Sequence, residues 1–226
     1  QGTGAGTGPL RTRMTTEKDR HAAIASRVAD LIKDRPRSVI AVAGPPASGK
    51  SSFAEALAGT LNASGIKAKV VPMDGFHLDN SVLEQRGLFP RKGAPETFDA
   101  EGFIALVKRL RAGGDISIPL FDRKRDMSIA DADTVPADCA VVIVEGNYLL
   151  FDEPPWNRLA DLWDLAISLE VTADELRDRL VRRWIGHGMT PQAALARTES
   201  NDLPNAERVR NASLPADLVI SNSGGA

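Results

Sequence analysis

Eight consecutive residues, Gly44-Pro45-Pro46-Ala47-Ser48-Gly49-Lys50-Ser51, have the types and order that wrap a phosphate. Glycines let successive backbone N–H groups curl around an anion, the lysine reaches the outer phosphates of a nucleotide, and the hydroxyl after it suits magnesium. A helix starting here would turn its positive end to the same anion, and Ser52 extends the N–H array. Gly44 to Ser52 are therefore read as a site for ATP and Mg2+, with Ser51 on the metal and Lys50 on the phosphate being transferred.

Two carboxylates stand just beyond apolar runs. Asp74 follows VVPM and Glu145 follows AVVIV. An open parallel sheet collects its ligands at the carboxyl ends of its strands, so both positions face the phosphate site if those runs are strands. With the Glu145 strand beside the one that enters the glycine loop, Glu145 comes close to Ser51 and shares the metal. Asp74 then lies one strand further out, about 10 Å from the loop, where it can orient or deprotonate an acceptor hydroxyl. Plainer roles remain open: Asp74-Gly75 is also a common turn pair, and Glu145 before Gly146 also ends a strand.

The elements that must position these groups follow from periodicity. A helical pattern runs from Thr15 to Lys33 and stops at Pro36; strands are expected at Ser38–Ala43, Lys67–Met73, Ala140–Val144, Leu165–Val171 and Asp217–Ser221. Helices are expected from Gly49 to Asn62, from Asp99 (as N-cap) to Arg111, from Ala173 to Ile185 with Gly186 at its end, and from Pro191 until Pro204 limits or kinks it. Apolar strands without alternation, interleaved with helices, predict an α/β three-layer fold of the P-loop NTPase kind. Its parallel sheet would have about five strands in the order 2-3-1-4-5. Between Gly113 and Pro136, ISIPLF and a later short run around a charged stretch read as a small hairpin beside the sheet.

Residues 1–14 are rich in glycine and threonine and read as a flexible lead, leaving 15–226 as a single domain. Leu176, Leu180 and Trp184 share one helix face, and the arginines beside them lead into Ile185-Gly186-His187-Gly188, a composition suited to a lid over about 179–190. Arginines swinging over the phosphates would offset developing charge, although a solvated helix face would have the same composition. A formal net charge of −2 supplies no basic field for nucleic acid. No apolar run is long enough to span a bilayer, and the single Cys139 excludes an internal disulfide. The expected setting is the cytoplasm, with a small-molecule partner, no nucleic acid or membrane, and a homodimer left open.

Four segments match a known pattern together and in order: the glycine loop, PMDGFHLDN at 72–80, PLFD at 119–122 and VIVEGNYLL at 142–150. They resemble the uridine kinase, pantothenate kinase and phosphoribulokinase superfamily. With RKGAPETFD at 91–99, the run from Ser38 to Val219 is most similar to bacterial fructose transport system kinases. The resemblance implies that Asp74 is the catalytic base, that Glu145 is the acidic residue near magnesium, and that Arg179 and Arg183 are the lid arginines on the nucleotide. Acceptor contacts are expected from Phe76, His77, Arg91, Asp122, Arg125 and Tyr148, and polar residues of these segments, Lys92 and Arg123 among them, could hydrogen-bond a polyol or pair with an anionic group. The resemblance places Asn201 to Ala206 near the nucleotide base. His77 stands where uridine kinases carry Tyr, and Asp126 and Ser128 where they carry His and Arg, so uridine is disfavoured. The expected activity is phosphorylation of a hydroxyl on a sugar such as fructose. Pantothenate, glycerate or a nucleoside are alternatives, as is a regulatory ATP-binding switch with no acceptor.

Overall fold

The computed structural model describes residues 17–32, 35 and 37–222. The lead at 1–14, both ends of the first helix (Thr15 and Lys33), the stop at Pro36 and the residues after 222 lie outside that range. In chain order the elements are α1 (Glu17–Leu31), β1 (Ser38–Ala43), α2 (Lys50–Ala63), β2 (Ala68–Pro72), α3 (Asn80–Gln85) and α4 (Ala100–Ala112). There follow β3 (Ile116–Asp122), β4 (Met127–Val135), β5 (Val141–Gly146), β6 (Leu165–Glu170), α5 (Ala173–Gly186), α6 (Pro191–Arg197), α7 (Leu203–Asn211) and β7 (Leu218–Ser221).

Five strands form one parallel sheet in the order β2-β5-β1-β6-β7, which is the predicted order counted over sheet strands alone. All six residues of β1 are buried, and alternate ones serve opposite faces. Val39, Ala41 and Ala43 pack with Phe103, Ile104 and Val107 of α4, while Ile40 and Val42 pack with Phe53, Leu57 and Leu61 of α2 and Val28 of α1. A strand buried on both sides has no polar face to alternate with, hence the unbroken apolar run SVIAVA.

Asp99 caps α4 by accepting the Gly102 N–H at 2.9 Å. α5 ends at Gly186, as expected, and Gly188, with φ of 89°, marks the exit. Between α6 and α7 the chain widens into a π turn at Thr198–Asp202, just before Pro204. Proline has no N–H to give to the preceding turn, and the wider turn carries the chain past that gap without separating the two helices.

β3 and β4 form the antiparallel hairpin that stands apart from the sheet. Its base is tied down by buried Arg37, whose guanidinium donates to the carbonyls of Cys139, Leu110, Gly114, Pro136 and Ala137. Near its other end the hairpin presses on the turn at Met73–Phe76 that follows β2: a Cβ on Gly75 would meet the Pro119 carbonyl oxygen at 2.3 Å. Only glycine lets these backbones approach so closely. Among the described residues, no helix is long and apolar enough to cross a membrane.

Candidate active site

The phosphate loop joins the buried end of β1 to α2. Gly49 adopts φ of 87° to begin the helix, and no side chain caps α2, so its first N–H groups are left for an anion. Behind the loop, Asn222 donates to the Ser48 carbonyl at 2.7 Å. Arg179 bonds the Asn222 carbonyl at 2.8 Å, pairs with Glu175 at 2.6 Å and lies 3.4 Å from the Ala47 carbonyl. Arg179 thus braces the loop from α5.

Pro46, Ala47, Gly49, Lys50, Ser51 and Ser52 line a cavity of about 580 Å³. Gly44 and Pro45 turn instead to a neighbouring cavity of about 570 Å³ behind the loop, and Ser48 is buried in the loop's interior.

Strand register places the two carboxylates. Glu145 pairs with Val42 of β1 on one side and with Pro72 of β2 on the other, and Asp74 lies two residues beyond Pro72. Ser51 Oγ donates to Glu145 Oε1 at 3.0 Å, and Lys50 Nζ is 3.9 Å from Glu145 Oε2. Glu145 is buried, which pushes its pKa up; Lys50 opposes that shift, the charge of Asp74 reinforces it, and the Ser51 hydroxyl opposes it. A cation beside Ser51 would relieve this destabilised carboxylate. Hydroxyl and carboxylate oxygens are the donors magnesium prefers, with the rest of its shell left to phosphate and water. Among the described residues no group of three or more His, Cys, Asp or Glu forms a fuller cage.

Asp74 lines the same cavity, with Arg123 of the hairpin turn 3.4 Å from its carboxylate. His77 lines it too, and its Nδ1 donates to the Asp74 carbonyl at 2.8 Å. Since a carbonyl only accepts, that bond fixes the proton on Nδ1. Burial lowers the His77 pKa and keeps the ring neutral.

The other expected acceptor residues stand elsewhere. Phe76 packs edge-on against Phe103 in the core. Tyr148 is 1% exposed and its hydroxyl donates to the Gly93 carbonyl, so it is a core residue. Arg91 is half exposed, 3.9 Å from Glu96. Asp122 accepts the backbone N–H groups of Lys124 and Arg125, closing the hairpin turn, and the exposed Arg125 folds back to 3.6 Å from it. Polar type and motif membership drew attention to these positions, but turn closure and core packing use them up.

In their place the cavity takes Lys92, Phe121, Arg123, Asp126, Asn147 and Asn205. Lys92 adjoins Arg91, which the cavity does not include, and Asp126 had drawn notice only as a departure from uridine kinases. Arg183 lines the cavity without a carboxylate within 4 Å among the described residues, and burial followed by the nearby Arg123 lowers its pKa. Next to it, Trp184 donates to Asp202 at 2.6 Å and lies under the Arg197 guanidinium at 4.6 Å. Asn201 and Arg197 both donate to the Lys92 carbonyl at 3.3 Å, which joins the segment expected near the nucleotide base to the acceptor side of the cavity.

Three comparisons agree with this geometry. The model of the phosphoribulokinase/uridine kinase family matches residues 39–222. A crystal structure of a provisionally designated fructose transport system kinase from Silicibacter sp. TM1040 is 51% identical, with a TM-score of 0.85 over 88% of this chain and 98% of that one. Among curated proteins, the uncharacterized protein YggC of Escherichia coli K12 is 38% identical over 84% of this chain and 79% of its own. A provisionally designated uridine kinase, C227.14 of Schizosaccharomyces pombe, is 34% identical over 86% and 87%.

Proposed function

The chain belongs to the phosphoribulokinase/uridine kinase family, and from that premise we propose that it transfers the γ-phosphate of ATP to a hydroxyl of a sugar-like small molecule. That it is an ATP-dependent phosphotransferase follows from the family. The sugar acceptor is supported by the 51% identical relative and its designation. The observation that carries the reading is that Asp74 shares one cavity with Lys50, Ser51 and the open N-terminus of α2.

In this reading the loop N–H groups and Lys50 hold the phosphates, and Ser51 and Glu145 hold magnesium. Bound there, magnesium would offset charge on the outer phosphates. Asp74 orients an acceptor hydroxyl and accepts its proton as the hydroxyl attacks in line. The segment 179–190 acts as the lid: Arg179 braces the loop, and Arg183 faces the phosphates and excludes water. The proposed setting is the cytoplasm, where ATP and magnesium are supplied.

Asp74→Asn tests the assignment. Turnover on an acceptor that the wild type phosphorylates should fall about a thousandfold while ATP affinity changes little. Unchanged turnover would remove Asp74 from the chemistry. If ADP release is flat across sugars, vitamins and nucleosides but responds to a protein partner, the chain is instead an ATP-dependent switch.

A further inference from the structure

On the hairpin side of the cavity the protein presents hydrogen-bond acceptors and aromatic rings, and the lysine there, Lys92, is fully engaged by protein. Asp126 sits in the β3–β4 turn with φ of 54°, a left-handed conformation that aspartate adopts more readily than most residues. It is held from two sides. Lys92 Nζ bonds Asp126 Oδ1 at 2.7 Å and the Asp126 carbonyl at 3.2 Å, and Asn80 Nδ2 donates to Asp126 Oδ2 at 2.9 Å.

Lys92 gives its remaining N–H to Asn80 Oδ1 at 2.6 Å, so all three of its donors go to protein. Arg123 reaches Asp74 through one nitrogen at 3.4 Å, and Arg197 lies over Trp184 and donates to the Lys92 carbonyl. Asp126 differs: an ionised carboxylate offers about four lone-pair sites, and protein donors occupy about two. His77, with its proton on Nδ1, keeps a lone pair on Nε2. Its ring lies between Phe98 at 4.1 Å and Phe121 at 4.7 Å, and all three residues line the cavity.

Acceptors beside aromatic faces call for a ligand that brings O–H donors and C–H surface. We propose that Asp126 is the specificity-determining residue of the acceptor site, accepting two adjacent hydroxyls of a neutral polyol, and that Lys92 is the positioning residue that fixes it. The proposal rests on the kinase reading and narrows its acceptor. A ligand carboxylate or phosphate has no hydrogen to give to Asp126 or to Nε2 of His77, so hydroxy acids and sugar phosphates fit this side of the cavity less well than neutral polyols.

The test measures phosphorylated product from ATP and magnesium with matched probes: sorbitol against gluconate, ribose against 2-deoxyribose, together with fructose and glycerate. Wild type should favour neutral over acidic members at least about tenfold and ribose over 2-deoxyribose by a similar factor, the scale of one hydrogen bond to a charged group. Asp126→Asn keeps the left-handed turn, which asparagine tolerates. It should raise KM for the best polyol about tenfold or more, shrink the deoxy discrimination and leave KM for ATP in place. Lys92→Met should move KM in the same direction, and thermal midpoints check that both variants fold. Product from hydroxy acids in preference to polyols, or unchanged discrimination in folded Asp126→Asn, overturns the assignment while sparing the kinase reading. ADP release with no product from any acceptor overturns both.

Discussion

The two halves of the cavity are built in opposite ways. The half proposed to hold the nucleotide comes from one short stretch, Pro46 to Ser52, on a turn between a fully buried strand and a helix. The acceptor half draws His77 from the turn after β2, Lys92 from an irregular segment, Asp126 from the hairpin, Asn147 from beyond β5 and Asn205 from α7. Phosphate recognition needs only backbone N–H groups, a helix end, one cation and one hydroxyl, all of which a short stretch can carry. Reading the pattern of hydroxyls on an acceptor needs groups converging from several directions, so it depends on how distant segments pack.

This contrast can be broken experimentally. The largest effect should come from the local half: Lys50→Ala should cut turnover about a thousandfold and weaken ATP binding whatever acceptor is offered. Retained tight ATP binding with full activity would sink the phosphate-loop assignment. An intermediate effect should come from the scaffold of the assembled half. Arg37→Met removes the side-chain donor from five carbonyls, of which those of Leu110 and Pro136 keep a backbone N–H, and should cost about 3 kcal/mol of stability in urea unfolding. Because Arg37 holds the base of the hairpin, KM for the acceptor should rise more than KM for ATP. Equal changes in both would mean that the hairpin does not set the acceptor half.

The smallest effect is a pH dependence. His77 has a folded pKa below its usual 6.5, so between those two values the unfolded chain binds more protons. Stability is therefore lost as pH falls below about 6.5, with a slope of at most about 1.4 kcal/mol per pH unit from this group. His77→Phe, which keeps an aromatic ring between Phe98 and Phe121, should flatten that part of the profile in urea melts at pH 5 to 7. An unchanged slope would place the acid sensitivity elsewhere.

Legibility follows the same division. The five-stranded order and the hairpin were readable because apolar runs and their lengths report burial directly. Asp74 and Glu145 were readable because the carboxyl ends of parallel strands are special places. Pro204 was legible as a limit or kink, and the structure carries it as a π turn that keeps α6 and α7 together.

Arg91 and Lys92 show what a sequence alone leaves undecided. They are adjacent, basic and part of the same matching segment, yet Arg91 stands half exposed toward Glu96 while Lys92 is largely buried and lines the cavity. Asp122 and Asp126 divide similarly, one closing a turn and the other facing the ligand space. Tyr148 lies two residues from Gly146, at the end of a strand that does serve the site, and is consumed by the core. What the chain determines locally is whatever a backbone turn and its flanking elements can build by themselves: a grip on phosphate and the strand ends that carry its two carboxylates. Which of two neighbouring polar residues meets the acceptor is decided only by the tertiary structure. Each step along a turn changes where a side chain points, and only the packing of the hairpin, α6 and the π turn against the Lys92 segment selects which direction leads into the cavity.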